Sequence, residues 1–153
     1  MTHQLQSSLF LPLEPARVFA FFCDPGNLAL ITPPEMQFRM ITPGPIRMGA
    51  GTVIDYRIRA LGLPLRWRSL IETWDPPHVF VDVQLKGPYR RWIHTHRFRA
   101  AGGGTHVEDV VEYALPLWPC GELAQPLVRR QLEHIFAFRS TAIERLLLGN
   151  TQP

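Results

Sequence analysis

Leu123–Leu148, LAQPLVRRQLEHIFAFRSTAIERLLL, is the stretch whose period decides the fold. Leu123, Leu127, Val128, Leu132, Ile135, Phe136, Ala142, Ile143, Leu146 and Leu147 recur at spacings of three and four, as on one face of an amphipathic helix. At 1.5 Å per residue such a helix is roughly 39 Å long. Gly149 stands where a helix C-terminus favours glycine. Pro126 marks either the first turn or a kink.

The chain before this helix has a different period. His3 to Pro12 reads as a strand with Leu5, Ser7, Leu9 and Leu11 on one face. Pro15 suits a first helical turn, so Ala16 to Cys23 reads as a short helix, and Asn27 to Ile31 as a second. Six strands follow: Met36 to Ile41, Gly51 to Ala60, Leu65 to Trp74, Val79 to Lys86, Arg91 to Arg99 and Thr105 to Leu115. Turn signals separate them at Pro43–Pro45, Leu61–Pro64, Asp75–Pro77, Gly87–Pro88 and Gly102–Gly104. In the third of these strands, Leu65, Trp67, Ser69, Ile71 and Thr73 share one face, with Trp74 on the other.

The expected architecture is α+β: strand, two short helices, six strands, one long helix. One helix cannot cover both faces of a seven-stranded sheet. The sheet must therefore curl around it in a helix-grip arrangement, with charge on the convex side. No linker or repeat divides the 153 residues, which read as one domain over 1–153.

Several motifs carry a family resemblance. Pro15-Ala16-Arg17-Val18-Phe19-Ala20-Phe21-Phe22 followed by Asp24-Pro25 resembles the opening helix of the START-like (SRPBCC) superfamily. Trp67-Arg68-Ser69, Ile71 and Trp74-Asp75-Pro76-Pro77 resemble its strand and turn. Phe80-Val81-Asp82, Gln84, Gly87-Pro88, the Trp92/His94/His96/Phe98 row and Asp109/Tyr113/Leu115-Pro116 resemble one subgroup of it. The resemblance implies a helix-grip fold with an apolar cavity. It also implies relatives that are lipid carriers, plant hormone receptors, polyketide cyclases or coenzyme Q-binding proteins, so the fold does not choose an activity.

Composition excludes other classes. At 46% hydrophobic residues the chain is not disordered, and no apolar run approaches the roughly 18 residues of a membrane span. Met1-Thr2-His3-Gln4 opens without a basic cluster or an apolar run, unlike a secretory signal. Cys23 and Cys120 have no partner at metal-ligand spacing and read as reduced thiols of a cytoplasmic protein. Lys86 is the only lysine among sixteen basic residues. The arginines alternate with apolar residues, as on the outer face of a sheet, and form no tract for nucleic acid.

The expected ligand-binding residues are Phe19, Phe22, Tyr56, Ile58, Trp67, Ile71, Trp92, His94, His96, Tyr113, Leu132 and Phe136, around a cavity of a few hundred Å3. Tyr56, Trp67 and Tyr113 each carry a polar atom that needs a partner if buried. If Arg99 faces His106 across the glycine loop, Arg97 faces Glu108 outside and His96 faces Asp109 inside. His96 and Asp109 are then a self-satisfied core pair, the holder of a ligand's polar head, or a catalytic acid–base pair. A His-x-His metal site needs a third ligand and an open position, and the expectation is no metal and no cofactor. A four-residue turn at Gly87 to Arg90 puts Val79, Val81, Val83 and Leu85 inside and Asp82 and Gln84 outside; an odd turn or a bulge reverses this.

Two functions follow as expectations: a non-catalytic binder of a hydrophobic small molecule (lipid, isoprenoid or aromatic polyketide-like), or a cyclase or dehydratase using His96 and Asp109. A surface that regulates a partner protein is a third, weaker reading.

Overall fold

A computed structural model describes residues 1–149. Nine residues, His3–Leu11, form β1, and Pro15–Phe22 form α1. β2 is Arg39–Met40, β3 Val53–Ala60, β4 Leu63–Asp75, β5 Val79–Lys86, β6 Arg91–Ala101 and β7 Gly104–Ala114. α2, Gln125–Leu148, closes the order. The sheet runs β1-β7-β6-β5-β4-β3-β2, and its neighbouring strands pair antiparallel. This is the helix-grip arrangement.

Local chemistry sets the elements. Pro15 opens α1, and the Asp24 carboxylate accepts from the Gly26 N–H at 2.9 Å to start the next turn. That turn is the 3-10 segment Pro25–Asn27, so the second helix expected at Asn27–Ile31 reduces to 3-10 and irregular turns. Pro33 and Pro34 follow directly and stop propagation. The next expected strand, Met36 to Ile41, shortens to β2 because Pro34–Met36 is itself a 3-10 turn and Gln37 is left-handed. Pro126 sits in the first turn of α2, where its missing N–H leaves no intrahelical bond unmade. Leu123 lies before α2, in the 3-10 turn Cys120–Ala124, and is exposed.

The β6–β7 hairpin has the expected register: Arg99 opposite His106, Arg97 opposite Glu108, His96 opposite Asp109. Outside, Arg97 and Arg99 flank the Glu108 carboxylate at 3.5 and 3.7 Å. Gly102 and Gly103 turn the hairpin with positive φ.

Two irregularities shift other rows. A bulge between Ile71 and Thr73 puts Trp74, not Thr73, on the inner face, where its ring packs edge-on to Phe19. In the β5–β6 hairpin, Asp82 pairs with His94 and Val83 with Ile93, so the closure is centred on Pro88 and is odd. Phe80, Asp82 and Gln84 therefore face inward, and the Val79, Val81, Val83 row faces outward.

Leu132, Phe136, Ala142 and Ile143 of α2 are buried against the sheet. One core cluster joins α1, the C-terminal half of α2 and the sheet through Val18, Phe19, Phe80, Phe98, Val107 and Ile143. A second joins Leu5, Val111, Tyr113 and Leu115 to Leu132 and Phe136. Among the described residues, no helix is long and apolar enough to cross a membrane.

Candidate functional site

Between the inner rows of the sheet and α2 lies a cavity of about 160 Å3. Of the residues expected to bind a ligand, Phe22, Tyr56, Ile58, Trp67, Ile71, Trp92, His94, His96, Leu132 and Phe136 stand in its wall. Phe19 and Tyr113 do not. Phe19 is wedged among Trp74, Phe80 and Phe98, with ring centroids 5.3, 5.8 and 5.2 Å away. Tyr113 is fully buried in the second cluster, and its hydroxyl has no hydrogen-bond partner among the described residues. The volume is below the few hundred Å3 expected because large aromatic side chains occupy the space. Trp67 stacks parallel to Tyr56 at 6.1 Å and meets Trp92 edge-on at 5.1 Å. The Trp67 indole N–H donates to Ser69 Oγ at 3.1 Å, so its polar atom is satisfied.

One end of the cavity is polar. Asp82 on β5, His94 and His96 on β6 and Asp109 on β7 meet through the register just described. His94 Nε2 is hydrogen-bonded to Asp109 Oδ1 at 3.0 Å, and His96 Nε2 to Asp82 Oδ2 at 2.9 Å. His96 Nδ1 is 2.7 Å from Asp109 Oδ1 but lies off the line of a hydrogen bond, so that contact is electrostatic. His94 Nδ1 is 3.6 Å from Asp82 Oδ2. The imidazoles lie 3.7 Å apart between centroids, and Phe80 stacks on the far side of His96 at 4.1 Å. Asp109 stands behind the two imidazoles, outside the cavity wall.

Electrostatics separate the two histidines. Burial, reinforced by the charge of His96, depresses the pKa of His94 against the pull of its carboxylate neighbours. Burial acts on His96 in the same direction, but Asp109 and Asp82 together overcome it and raise its pKa. Burial would raise both aspartates, yet their imidazole neighbours hold both carboxyls below the usual range. Burial also pushes up the hydroxyl of Tyr56.

Two charged wall residues are not legible in the sequence. Asp82 fits either face of its strand until the closure of the hairpin is known. Arg139 does not stand out as a site residue, although it follows Phe136 by three residues and Leu132 by seven, the spacing of the buried stripe. Its guanidinium lies 5.2 Å from the Phe136 ring centroid. Its buried Nε has no acceptor, and no carboxylate lies within 4 Å of it among the described residues.

The fold has counterparts among solved structures. Protein TTHA0849 from Thermus thermophilus superposes with a TM-score of 0.78 at 22% identity, over 98% of this chain and 100% of that one. The Zhui aromatase/cyclase from Streptomyces sp. R1128 does so at 0.76 and 14% identity, over 95% and 96%. Norcoclaurine synthase from Thalictrum flavum reaches 0.70 at 18% identity, over 97% and 87%. The chain thus has the helix-grip fold of these structures. At these identities the likeness defines the fold and leaves the activity to the site. No family model matches the chain. No curated protein matches it either.

Proposed function

We propose that the protein binds a hydrophobic small molecule between the sheet and α2. An apolar segment lies against Tyr56, Trp67 and Trp92, and a polar end points toward Arg139 and the histidine cluster. The observation that carries this reading is a cavity apolar along its wall and polar at one end. A dry protein cavity of about 150 Å3 accepts benzene. Of lipids, isoprenoids and aromatic polyketide-like molecules, the volume favours those that insert a single ring or a short branched segment. The unpartnered Arg139 Nε–H favours a ligand with an acceptor or anionic group.

Native mass spectrometry of freshly purified protein, followed by release and identification of bound material, tests the reading. A folded sample should also bind an apolar fluorescent dye saturably and quench tryptophan emission. Arg139→Gln should weaken an anionic naphthalene sulfonate dye by about tenfold, the scale of one charge-assisted hydrogen bond, and leave a neutral dye unaffected. Absence of saturable dye binding by cooperatively folded protein defeats the proposal.

A cyclase or dehydratase is the second reading. It is favoured by the position of His96 in the wall, with a carboxylate on each side. His96 would exchange protons with the substrate, and the charge of Asp109 behind it would stabilise its protonated form. Recovery of an added polyketide-like ligand chemically unchanged argues for the binder; conversion that His96→Gln removes argues for the enzyme.

A further inference from the structure

The expectation of no metal rests on the lack of a third donor beside His94 and His96. Asp82 supplies that donor. One ligand atom each from Asp82, His94 and His96 lie within 4.8 Å of one another. We propose that these three side chains bind one divalent first-row transition-metal ion of the zinc class, with Asp109 as the outer carboxylate that orients His94.

The donor geometry supports this. Asp82 Oδ2 is 2.9 Å from His96 Nε2 and 3.6 Å from His94 Nδ1. With metal–ligand bonds of about 2.1 Å, those separations subtend angles of about 90° and about 120° at a common centre, the range of tetrahedral to five-coordinate sites. The other nitrogen of His94 is hydrogen-bonded to Asp109 Oδ1 at 3.0 Å, and that of His96 lies 2.7 Å from the same oxygen, off the hydrogen-bond line. A His94 that donates its Nε2–H to Asp109 presents a bare Nδ1 lone pair on the Asp82 side. A carboxylate behind the rings is the usual means of fixing the tautomer of metal-binding histidines.

Charge points the same way. Among the described residues, only the two imidazoles come within 4 Å of either carboxylate; no Arg or Lys does. A divalent cation at the cluster would balance the two buried carboxylates, Asp82 and Asp109, which no Arg or Lys pairs at that distance. Two histidines and one carboxylate with an open position suit zinc or ferrous iron. The open position faces the cavity, since the three donors line it and Asp109 does not. The site stands on the cluster alone and does not depend on which apolar molecule fills the cavity.

The test uses tag-free protein stripped with chelator and titrated with Co2+, followed by visible absorption, and with Zn2+, followed by calorimetry. One equivalent should bind, with the visible band of a four- or five-coordinate cobalt site. Asp82→Asn and His94→Gln should each abolish the band. Asp109→Asn should retain one equivalent and weaken it by about 10- to 100-fold. His3→Gln and His134→Gln, which alter a half-buried pair with Glu122 and an exposed pair with Glu35, should leave metal binding unchanged. No metal uptake by folded wild-type protein overturns the proposal whether or not the variants fold. So does binding that survives Asp82→Asn or depends on His3 or His134. Dye binding measured on the same metal-free sample tells failure of the metal site from failure of the ligand cavity.

Discussion

The inner face of the sheet has two halves that differ in how they are covered. At one end Phe80, Phe98 and Val107 are capped by α1 through Val18 and Phe19, and by the last turns of α2 through Ile143. Phe98 is 1% exposed, and Phe19 touches three aromatic rings edge-on. At the other end Tyr56, Ile58, Trp67 and Trp92 are larger on average, yet a cavity remains. α1 reaches that half only through Phe22, and α2 shares its cover with turns rather than a second regular helix: Leu28, Ile31, Met36 and Phe38. Residue size therefore does not decide where space is left; a regular helix pressed on the row closes it, and short turns over the row leave a gap. The histidine–aspartate cluster sits at the seam, with Phe80 stacked on His96 from the closed side.

This contrast can be broken most sharply at its packed end. Phe98→Ala should destabilise the protein by about 3–5 kcal/mol, the cost of truncating a fully buried aromatic. Phe136→Ala should fall near the lower end of that range, because one side of its ring already borders the cavity. Denaturant midpoints at constant slope measure both; equal losses would erase the distinction between the halves.

Thiol chemistry gives a second comparison. Cys23 packs against the closed half, and burial pushes its thiol up to about 12, whereas Cys120 is exposed. At pH 8 a disulfide reagent should label one thiol quickly and the other roughly 50- to 100-fold more slowly, since greater nucleophilicity offsets only part of the lost thiolate. Two equal fast phases would show the closed half to be open.

The smallest expected effect lies on the cavity side. Ile58→Phe adds a ring where there is room, so it should change stability by about 1 kcal/mol or less while weakening dye binding about tenfold. A large loss of stability would mean that the space beside Ile58 is already filled.

The sequence is most legible where two independent patterns agree. In β6 and β7 the alternation of apolar and polar residues and the pairing of Arg97 and Arg99 with Glu108 demand the same register, and Asp109 follows opposite His96 by parity. The long helix is legible because its period is sustained over many turns. The short helical segments between Pro25 and Met36 are not, because a single turn has no period to read and proline dictates its form. Arg139 is hidden for a different reason: a charged residue on a buried stripe reads as an interruption until the cavity beside it is known.

What the sequence determines by itself is the order of the elements, the grip of the sheet on α2, and the His96–Asp109 pairing. All three rest on local periodicity or on charge across a tight hairpin. Which face Asp82 takes is decided only in three dimensions. Gly87 and Pro88 are compatible with an even or an odd closure, and one residue more or less inverts every side chain of β5. The odd closure is held by Gln84, whose side-chain amide donates to the Tyr89 carbonyl at 2.7 Å and accepts from the Tyr89 N–H at 3.3 Å. A Cβ at Gly87 would run into that same amide. The histidines then meet Asp82 on the inner face, where a buried carboxylate is stable only beside a proton or a cation.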